Sequence, residues 1–474
     1  MTPDAAALQR SGEHAAAAGR SASEYGGTYF AARHNALQSR PALSHDIDVD
    51  ICVIGGGLAG LTIAREASRR GWSVAVLEAE RIACNASGRN TGFVVPGFAQ
   101  DVDTIIERVG LDHARQVWAL SEEGVAAVRR IVTEDMPEVL AGEGWLSVSK
   151  ADRPMEISAE AETLRGLGAD VETWPAHLVR SKLKSERYFQ AIHFPGAFSV
   201  APLDYALGLA KAAEQAGARI FEGTRALSID PAGVRKRVMT PSGRVRAAHI
   251  VLAGNVYLGR LFSDLAATLI PVNNYAIVTR PIAGLADAIA YQGAVSDGAR
   301  ADSHYRVIDG DRLLFAGGMT VWQGNAQRYG RRLRRDILRL YPQLHGLEVE
   351  YAWRGKLGFT VHRMPQIGEV LPRVWLASGF GGQGLNTSAM AAQLIVGAII
   401  EGDDRWKLFQ PFELVYAGGR SVRALIQAGY WARRNLESLT HWQMRRRARK
   451  REREEARIKA DAATPAETVD GARD

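Results

Sequence analysis

Asp50-Ile51-Cys52-Val53-Ile54-Gly55-Gly56-Gly57-Leu58-Ala59-Gly60 decides the reading of this chain. An apolar run bounded by polar residues has the pattern of a buried parallel strand. It runs straight into G-x-G-x-x-G. Gly55 permits the tight turn, Gly57 leaves room for a ligand to approach the backbone, and Gly60 lets the following helix pack close to the strand. That helix is expected over residues 61–70, with its free N–H groups and positive dipole end aimed at an anion. A second strand, over residues 73–77, ends on Glu78. A carboxylate about 20 residues beyond the glycines is placed to accept hydrogen bonds from ribose hydroxyls. Strand, helix, second strand and acid in register point to a dinucleotide rather than to an ordinary glycine turn.

Outward from this stretch, the pattern repeats with a difference. Residues 374–378 form another apolar strand and run into Gly379-Phe380-Gly381-Gly382-Gln383-Gly384-Leu385, followed by an apolar helix to about residue 400. A nicotinamide enzyme has no need of this second glycine-rich turn. A flavin enzyme does, because its ring lies far from the pyrophosphate and gains negative charge when reduced, which a helix N-terminus stabilises. Between the two turns lie the loop Ala86-Ser87-Gly88-Arg89-Asn90-Thr91-Gly92, two helices over 101–135, and strands at 144–149 and 191–194. A helix over 203–217, strands at 218–221 and 226–229, a hairpin turning at Pro241-Ser242-Gly243, and strands at 248–255, 275–279 and 313–316 follow.

The 474 residues suffice for two domains, and 46% hydrophobic with 23% charged residues is ordinary for a globular chain. No run reaches the ~18 apolar residues of a membrane span, so no integral membrane segment is expected. The N-terminal residues lack a signal-like apolar core, and Cys52 and Cys84 are the only cysteines. The expected location is the cytoplasm. The net charge of +7 is concentrated in residues 445–459, which hold nine basic and three acidic side chains. There the sequence suggests a long helix over 430–459. It is either a solvated, salt-bridged helix or a contact surface for anionic lipid, a protein partner or nucleic acid. No His/Cys cluster has metal-ligand spacing.

These motifs, with Val251-Leu252-Ala253-Gly254-Asn255 and Phe359-Thr360-Val361-His362-Arg363-Met364-Pro365-Gln366-Ile367-Gly368, resemble the D-amino acid oxidase superfamily of FAD-dependent oxidoreductases. The resemblance is strongest to its γ-glutamylputrescine oxidase-like branch and spans about residues 20–402. It implies an α/β Rossmann-type FAD-binding domain with an interleaved mixed-sheet substrate domain and a C-terminal helix. The expected divisions are a disordered arm over 1–45, within which the aromatic patch Ser23-Glu24-Tyr25-Gly26-Gly27-Thr28-Tyr29-Phe30 is a candidate to dock on the body, FAD domain over 46–143, substrate domain over 144–370 with FAD-domain segments at about 202–257, a closing FAD segment over 371–402, and an extension over 403–474.

The same resemblance implies cofactor contacts from Gly55, Gly57, Leu58, Ala59, Gly60, Glu78, Ser87, Gly88, Arg89, Asn90, Thr91 and Gly92. It adds Ala226, Ala253, Gly254, Gly379, Phe380, Gly381, Gly382, Gln383, Gly384 and Leu385. The implied chemistry is hydride transfer from a C–H beside a neutral amine to flavin N5, then hydrolysis of the imine, with O2 or another acceptor reoxidising non-covalent FAD. Gln383 stands where relatives often carry His. Leu357 stands where glycine-oxidase-like relatives carry a carboxylate-clamping Arg, which favours an amine over a simple amino acid unless Arg354 or Lys356 takes its place. Arg354, His362, Tyr257 and Tyr305 are the catalytic-site candidates, with Trp322 as a further wall of the amine pocket. The alternatives are an amino-acid oxidase or dehydrogenase, and a flavoprotein bound to RNA through the basic tail.

Overall fold

The computed structural model describes residues 25–34, 37–259, 261–297, 303–419 and 428–429. The strand Ile47–Ile54 sits inside an eight-stranded sheet whose order is Gln366–Leu371, Val374–Ser378, Arg244–Leu252, Ile47–Ile54, Val74–Leu77, Arg219–Phe221. Lys236–Met239 pairs with Arg244–Leu252, and Ser228–Asp230 lies beyond it. The central pairs are parallel, with Ile51–Ile54 between Val74–Leu77 and His249–Leu252. Both faces of Ile51–Ile54, Val74–Leu77 and Ile250–Leu252 are covered, which explains why these runs are apolar instead of alternating. Their carboxyl ends share one edge. Gly55, Glu78, Ala253 and Gly379 follow directly from them, so the motifs scattered along the sequence meet there.

A nine-stranded sheet lies on the other side of that edge. Its order is Val349–Phe359, Ile270–Thr279, Arg312–Thr320, Ser303–Ile308, Ala294–Ser296, Leu140–Val148, Ala191–Val200, Phe93–Val94, with Glu172–Trp174 on Ala191–Val200. All pairs are antiparallel except Ala294–Ser296 with Trp145–Ser147. The helices observed over Val102–Val109 and Leu111–Asp135 match the two expected there. The strand expected at 226–229 starts two residues later, leaving Ala226 and Leu227 as loop.

Two expectations change. Residues 25–34 and 37–45 are ordered against the body, so the disordered arm does not extend over them and the aromatic patch at 25–30 docks as suggested. Tyr25, Tyr29 and Phe30 are buried, Phe30 meets Trp353 edge-on at 5.9 Å, and Arg33 pairs with Asp309 at 2.9 Å. Three aromatic rings within six residues bury enough surface to offset the ordering of a short segment. The second change is that Gly384–Glu401 is long and apolar enough by composition to cross a membrane. It is largely buried, packed against Leu58–Arg69 and Leu111–Asp135. The basic helix expected over 430–459 lies outside the described residues.

Candidate active site

The first glycine turn is shaped by close backbone approach. Gly55 has φ +118°, and a Cβ there would stand 2.7 Å from the Ala253 carbonyl oxygen. A Cβ on Gly57 would stand 2.9 Å from Ser87 Oγ, and one on Gly60 only 2.0 Å from the Gly55 carbonyl oxygen. Gly60 thus sets the distance between helix and strand and does not itself line the cavity. The helix begins at Leu58, three residues earlier than expected, and its Leu58 N–H already donates to Ser87 Oγ at 3.0 Å. Glu78 accepts from the Gly56 N–H at 2.7 Å and the Glu80 N–H at 2.9 Å, while burial pushes its carboxyl group up.

The loop after Cys84 makes one helical turn, Ala86–Arg89. Asn90 ties it off by donating to the Ala86 and Ser87 carbonyls and accepting from the Gly92 N–H. Arg306, buried among apolar strands, donates to the Thr91 and Val200 carbonyls at 3.0 and 3.1 Å, and burial lowers its guanidinium to about 10. Gly88 and Gly92 serve packing. A Cβ on Gly92, at φ +83°, would lie 2.0 Å from the Val200 oxygen.

Both glycine-rich turns open onto one cavity of about 690 Å³ between the sheets, within the roughly 300–1,000 Å³ usual for ligand sites. Of the expected cofactor residues, Gly55, Gly57, Leu58, Ala59, Glu78, Ser87, Arg89, Asn90 and Thr91 line it. So do Ala226, Ala253, Gly254, Phe380, Gly381, Gly382, Gln383, Gly384 and Leu385. Gly60, Gly88, Gly92 and Gly379 stand behind the wall.

The catalytic candidates divide. Tyr257 lines the cavity, donates to Asn85 Oδ1 at 2.9 Å, and is pushed up to about 12 by burial. Leu357 lines it as well. Tyr305 does not. It is fully buried in the second sheet's core, bonded to Tyr188 and Tyr341 at 3.0 and 2.7 Å. His362 is also away from the cavity. Its Nε2 faces the Glu413 carbonyl at 3.0 Å and its Nδ1 accepts from the Met364 N–H at 3.1 Å, so it fastens residue 413 to the body. Arg354 lies behind the wall, its carbonyl 3.4 Å from Arg89 Nη1, and Trp322 is exposed elsewhere.

The sequence reading missed a polar relay on the second sheet. Trp145 Nε1 donates to Ser296 Oγ at 2.9 Å, and Ser296 Oγ lies 2.8 Å from His304 Nδ1. All three line the cavity, with Asn85, Asn274, Met319 and Lys356. The three-residue strand carrying Ser296 has no pattern of its own, so nothing in the sequence placed it beside Trp145.

A profile described as "FAD dependent oxidoreductase", of the DAO family, matches residues 50–398. The chain belongs to that family. Among its relatives, "Gamma-glutamylputrescine oxidoreductase" of Escherichia coli K12 is 30% identical over 410 residues, covering 84% of this chain and 95% of that protein. "Probable oxidoreductase OrdL" of Haemophilus influenzae is 28% identical over 408 residues, covering 84% and 93%. The fold of this family member matches the crystal structure of glycine oxidase from Geobacillus kaustophilus with a TM-score of 0.66 at 20% identity, over 78% of this chain and 98% of that one.

Proposed function

We infer that this FAD-dependent oxidoreductase oxidises a C–N bond of a small amine, with FAD held non-covalently along the cavity. One observation carries the reading: the substrate-side wall presents the apolar Leu357 and no carboxylate among its described residues. The chain's residues fit the cofactor. The cavity runs from Glu78 and Ala226, past the bare Gly57 beside Ser87, to the turn Gly381–Gly384. Glu78 keeps lone pairs for ribose hydroxyls, and Gly57 offers the pyrophosphate a backbone without a side chain. Cys84 lines the cavity, but burial pushes its thiol up to about 12, so it is protonated and a poor covalent anchor.

Bound FAD supplies the acceptor for a hydride leaving the substrate carbon. The protein's task is then orientation and exclusion of water. Trp145 can only donate, so its N–H points at Ser296 Oγ. When the Ser296 hydroxyl donates onward to His304 Nδ1, the ring is neutral with its proton on Nε2. A wall without carboxylates does not stabilise an ammonium, so it favours the uncharged amine whose lone pair assists loss of the hydride. Gln383 donates hydrogen bonds but carries no charge. The N-terminal end of Gly384–Glu401 is thus the electropositive feature left for the flavin edge.

The test is anaerobic bleaching of the flavin across polyamines, acylated polyamines, sarcosine, glycine and D-alanine. Reduction by amines supports the assignment. Reduction by amino acids alone would replace it with an amino-acid oxidase. Release of FAD by acid or heat tests the non-covalent attachment.

A further inference from the structure

The wall that brings Arg81, Cys84, Asn85, Ser87 and Arg89 to the cavity belongs to neither sheet. It is a loop with one helical turn, Ala86–Arg89, so its position rests on what packs behind it. Behind it runs the N-terminal segment. None of residues 25–34 or 37–43 lines the cavity, yet they meet the wall at both of its arginines. Arg81 Nη2 donates to the Leu37 and Gln38 carbonyls at 3.0 and 2.9 Å, and its guanidinium lies 5.9 Å from the centre of the Tyr25 ring. Gly26 lies against the Arg89 guanidinium, its Cβ position 2.6 Å from Nη2. Phe30 packs on Trp353, whose Nε1 donates to the Arg89 carbonyl at 2.9 Å.

The segment is fastened to both sheets. On the second sheet, Tyr29 and Arg33 bond Asp309, in the turn after Ser303–Ile308, and the Tyr29 ring meets Tyr351 edge-on at 5.6 Å. On the first, the buried Glu222 carboxylate, just past Arg219–Phe221, accepts from the Arg40 N–H at 2.8 Å and the Ile82 N–H at 2.9 Å, and pairs with Arg81 at 3.0 Å. The Leu43 N–H donates to Thr224 Oγ1 at 3.0 Å, and the Thr224 N–H donates to the Glu78 carbonyl at 2.8 Å. The two fastenings differ in strength. Segment and wall share the buried Glu222, and a buried carboxylate is costly to strip of its donors. The Arg33 and Asp309 side chains are 51% and 40% exposed, and an ion pair so placed adds little. The end on the second sheet therefore lets go first.

We propose that this N-terminal segment is a latch for FAD. Closed, it holds the Arg81–Arg89 wall against the dinucleotide. Released from Asp309 and Trp353, it frees the wall to move outward, and FAD leaves past it. The inference goes beyond amine oxidation and holds for any substrate, since it requires only that FAD occupies the cavity. Tyr29, Phe30 and Arg33 are positioning residues: they stand behind the wall and act on it through Trp353 and the turn at Asp309. Linkage adds a second consequence. A segment whose opening weakens FAD binding is itself held shut by bound FAD, by the same factor.

The experiment follows release of FAD from the diluted holoenzyme by the rise of free-flavin fluorescence. Phe30→Ala removes the ring on Trp353. The double variant Tyr29→Phe with Arg33→Met removes both bonds to Asp309 and keeps the aromatic ring. Each is expected to release FAD roughly fivefold faster or more, while its apoprotein melts close to the wild type. Arg405→Met is the control, because it breaks a similarly exposed pair with Glu123, 2.9 Å long, elsewhere on the surface. Trypsin cleavage after Arg33, identified by mass, supplies the reciprocal measurement and is expected to be several-fold slower in holoprotein than in apoprotein. Release unchanged in both latch variants, or accelerated as much by Arg405→Met, would overturn the latch. Cleavage after Arg33 at equal rates with and without FAD would overturn it as well.

Discussion

Gly60→Ala has an outcome whose sign separates two physical effects. By intrinsic propensity, alanine in a helix is better than glycine by ~0.8–1.0 kcal/mol. Here the added methyl would stand 2.0 Å from the Gly55 carbonyl oxygen, a backbone atom held by the Leu77–Gly55 hydrogen bond and the neighbouring strand. Restoring an ordinary van der Waals separation moves the start of the helix by roughly 1.5 Å, about one residue's rise. Overpacking of this kind costs about 1–3 kcal/mol, which outweighs the propensity gain. The same movement carries the Gly57–Ala59 backbone away from the cavity, so FAD is expected to bind at least about tenfold more weakly. Thermal unfolding of apoprotein and titration with FAD read both effects. Gly166→Ala is the control, because it ends a helix with nothing within 4 Å of its Cβ position. It is expected to raise the melting temperature while Gly60→Ala lowers it. A rise in both, with FAD affinity intact, would show that helix-to-strand contact at Gly60 does not set the geometry of the turn.

Gly57→Val is expected to abolish retention of FAD through purification, because its side chain fills the trough beside Ser87; a yellow variant with full flavin content would place the phosphates elsewhere. Leu357→Arg is expected to raise the rate with glycine or D-alanine relative to an acylated polyamine by roughly tenfold or more, since it supplies the missing cation at the cavity wall; an unchanged ratio in anaerobic flavin reduction refutes that use of the position. Burial lowers the pKa of His362, and its Nδ1 must be unprotonated to accept the Met364 N–H. The unfolded chain, with a pKa near ~6.5, takes up the proton first. Stability from this site is therefore present above about pH 6.5 and is lost as pH falls toward the depressed folded value. His362→Gln should show a smaller drop in melting temperature from about pH 7.5 to 5.5 than the wild type; equal drops would exclude His362 as a source of the acid sensitivity.

The elements that make the first sheet were legible because each carries its own local signal. Ile51–Ile54, Val74–Leu77 and Val374–Ser378 are apolar runs, and each is followed by a residue whose identity the turn or ligand geometry restricts. The substrate-side wall was not legible in the same way. Tyr305 and Trp145 are both aromatic residues on strands of the second sheet. What separates a core tyrosine from a cavity tryptophan is the direction each strand faces, and for Trp145 this depends on its pairing with Ala294, about 150 residues away. His362 misled for a related reason: it stands near the flavin-side motif in sequence, yet its ring turns toward residue 413. The N-terminal arm was judged on composition, which does not reveal that Tyr29 and Arg33 both reach Asp309.

The strand order of the first sheet has a consequence for biosynthesis. Ile47–Ile54 emerges early, but its neighbour Arg244–Leu252 and the next strand outward, Val374–Ser378, are made about 190 and 320 residues later. At roughly 5–20 residues per second of translation, the ribosome delivers the last of them some 15–65 s after the first. Until Arg244–Leu252 arrives, roughly 10–40 s after the first strand at that rate, the apolar end Ile51–Ile54 has one edge unpaired, and after that the edge passes to Arg244–Leu252 until Val374–Ser378 is made, the kind of edge on which neighbouring chains aggregate. The cavity closes only when the second glycine-rich turn arrives. Overexpressed protein should therefore gain soluble yield from slower synthesis or a chaperone that shields the first hundred residues, and extra flavin supplied during that interval has no finished site to enter.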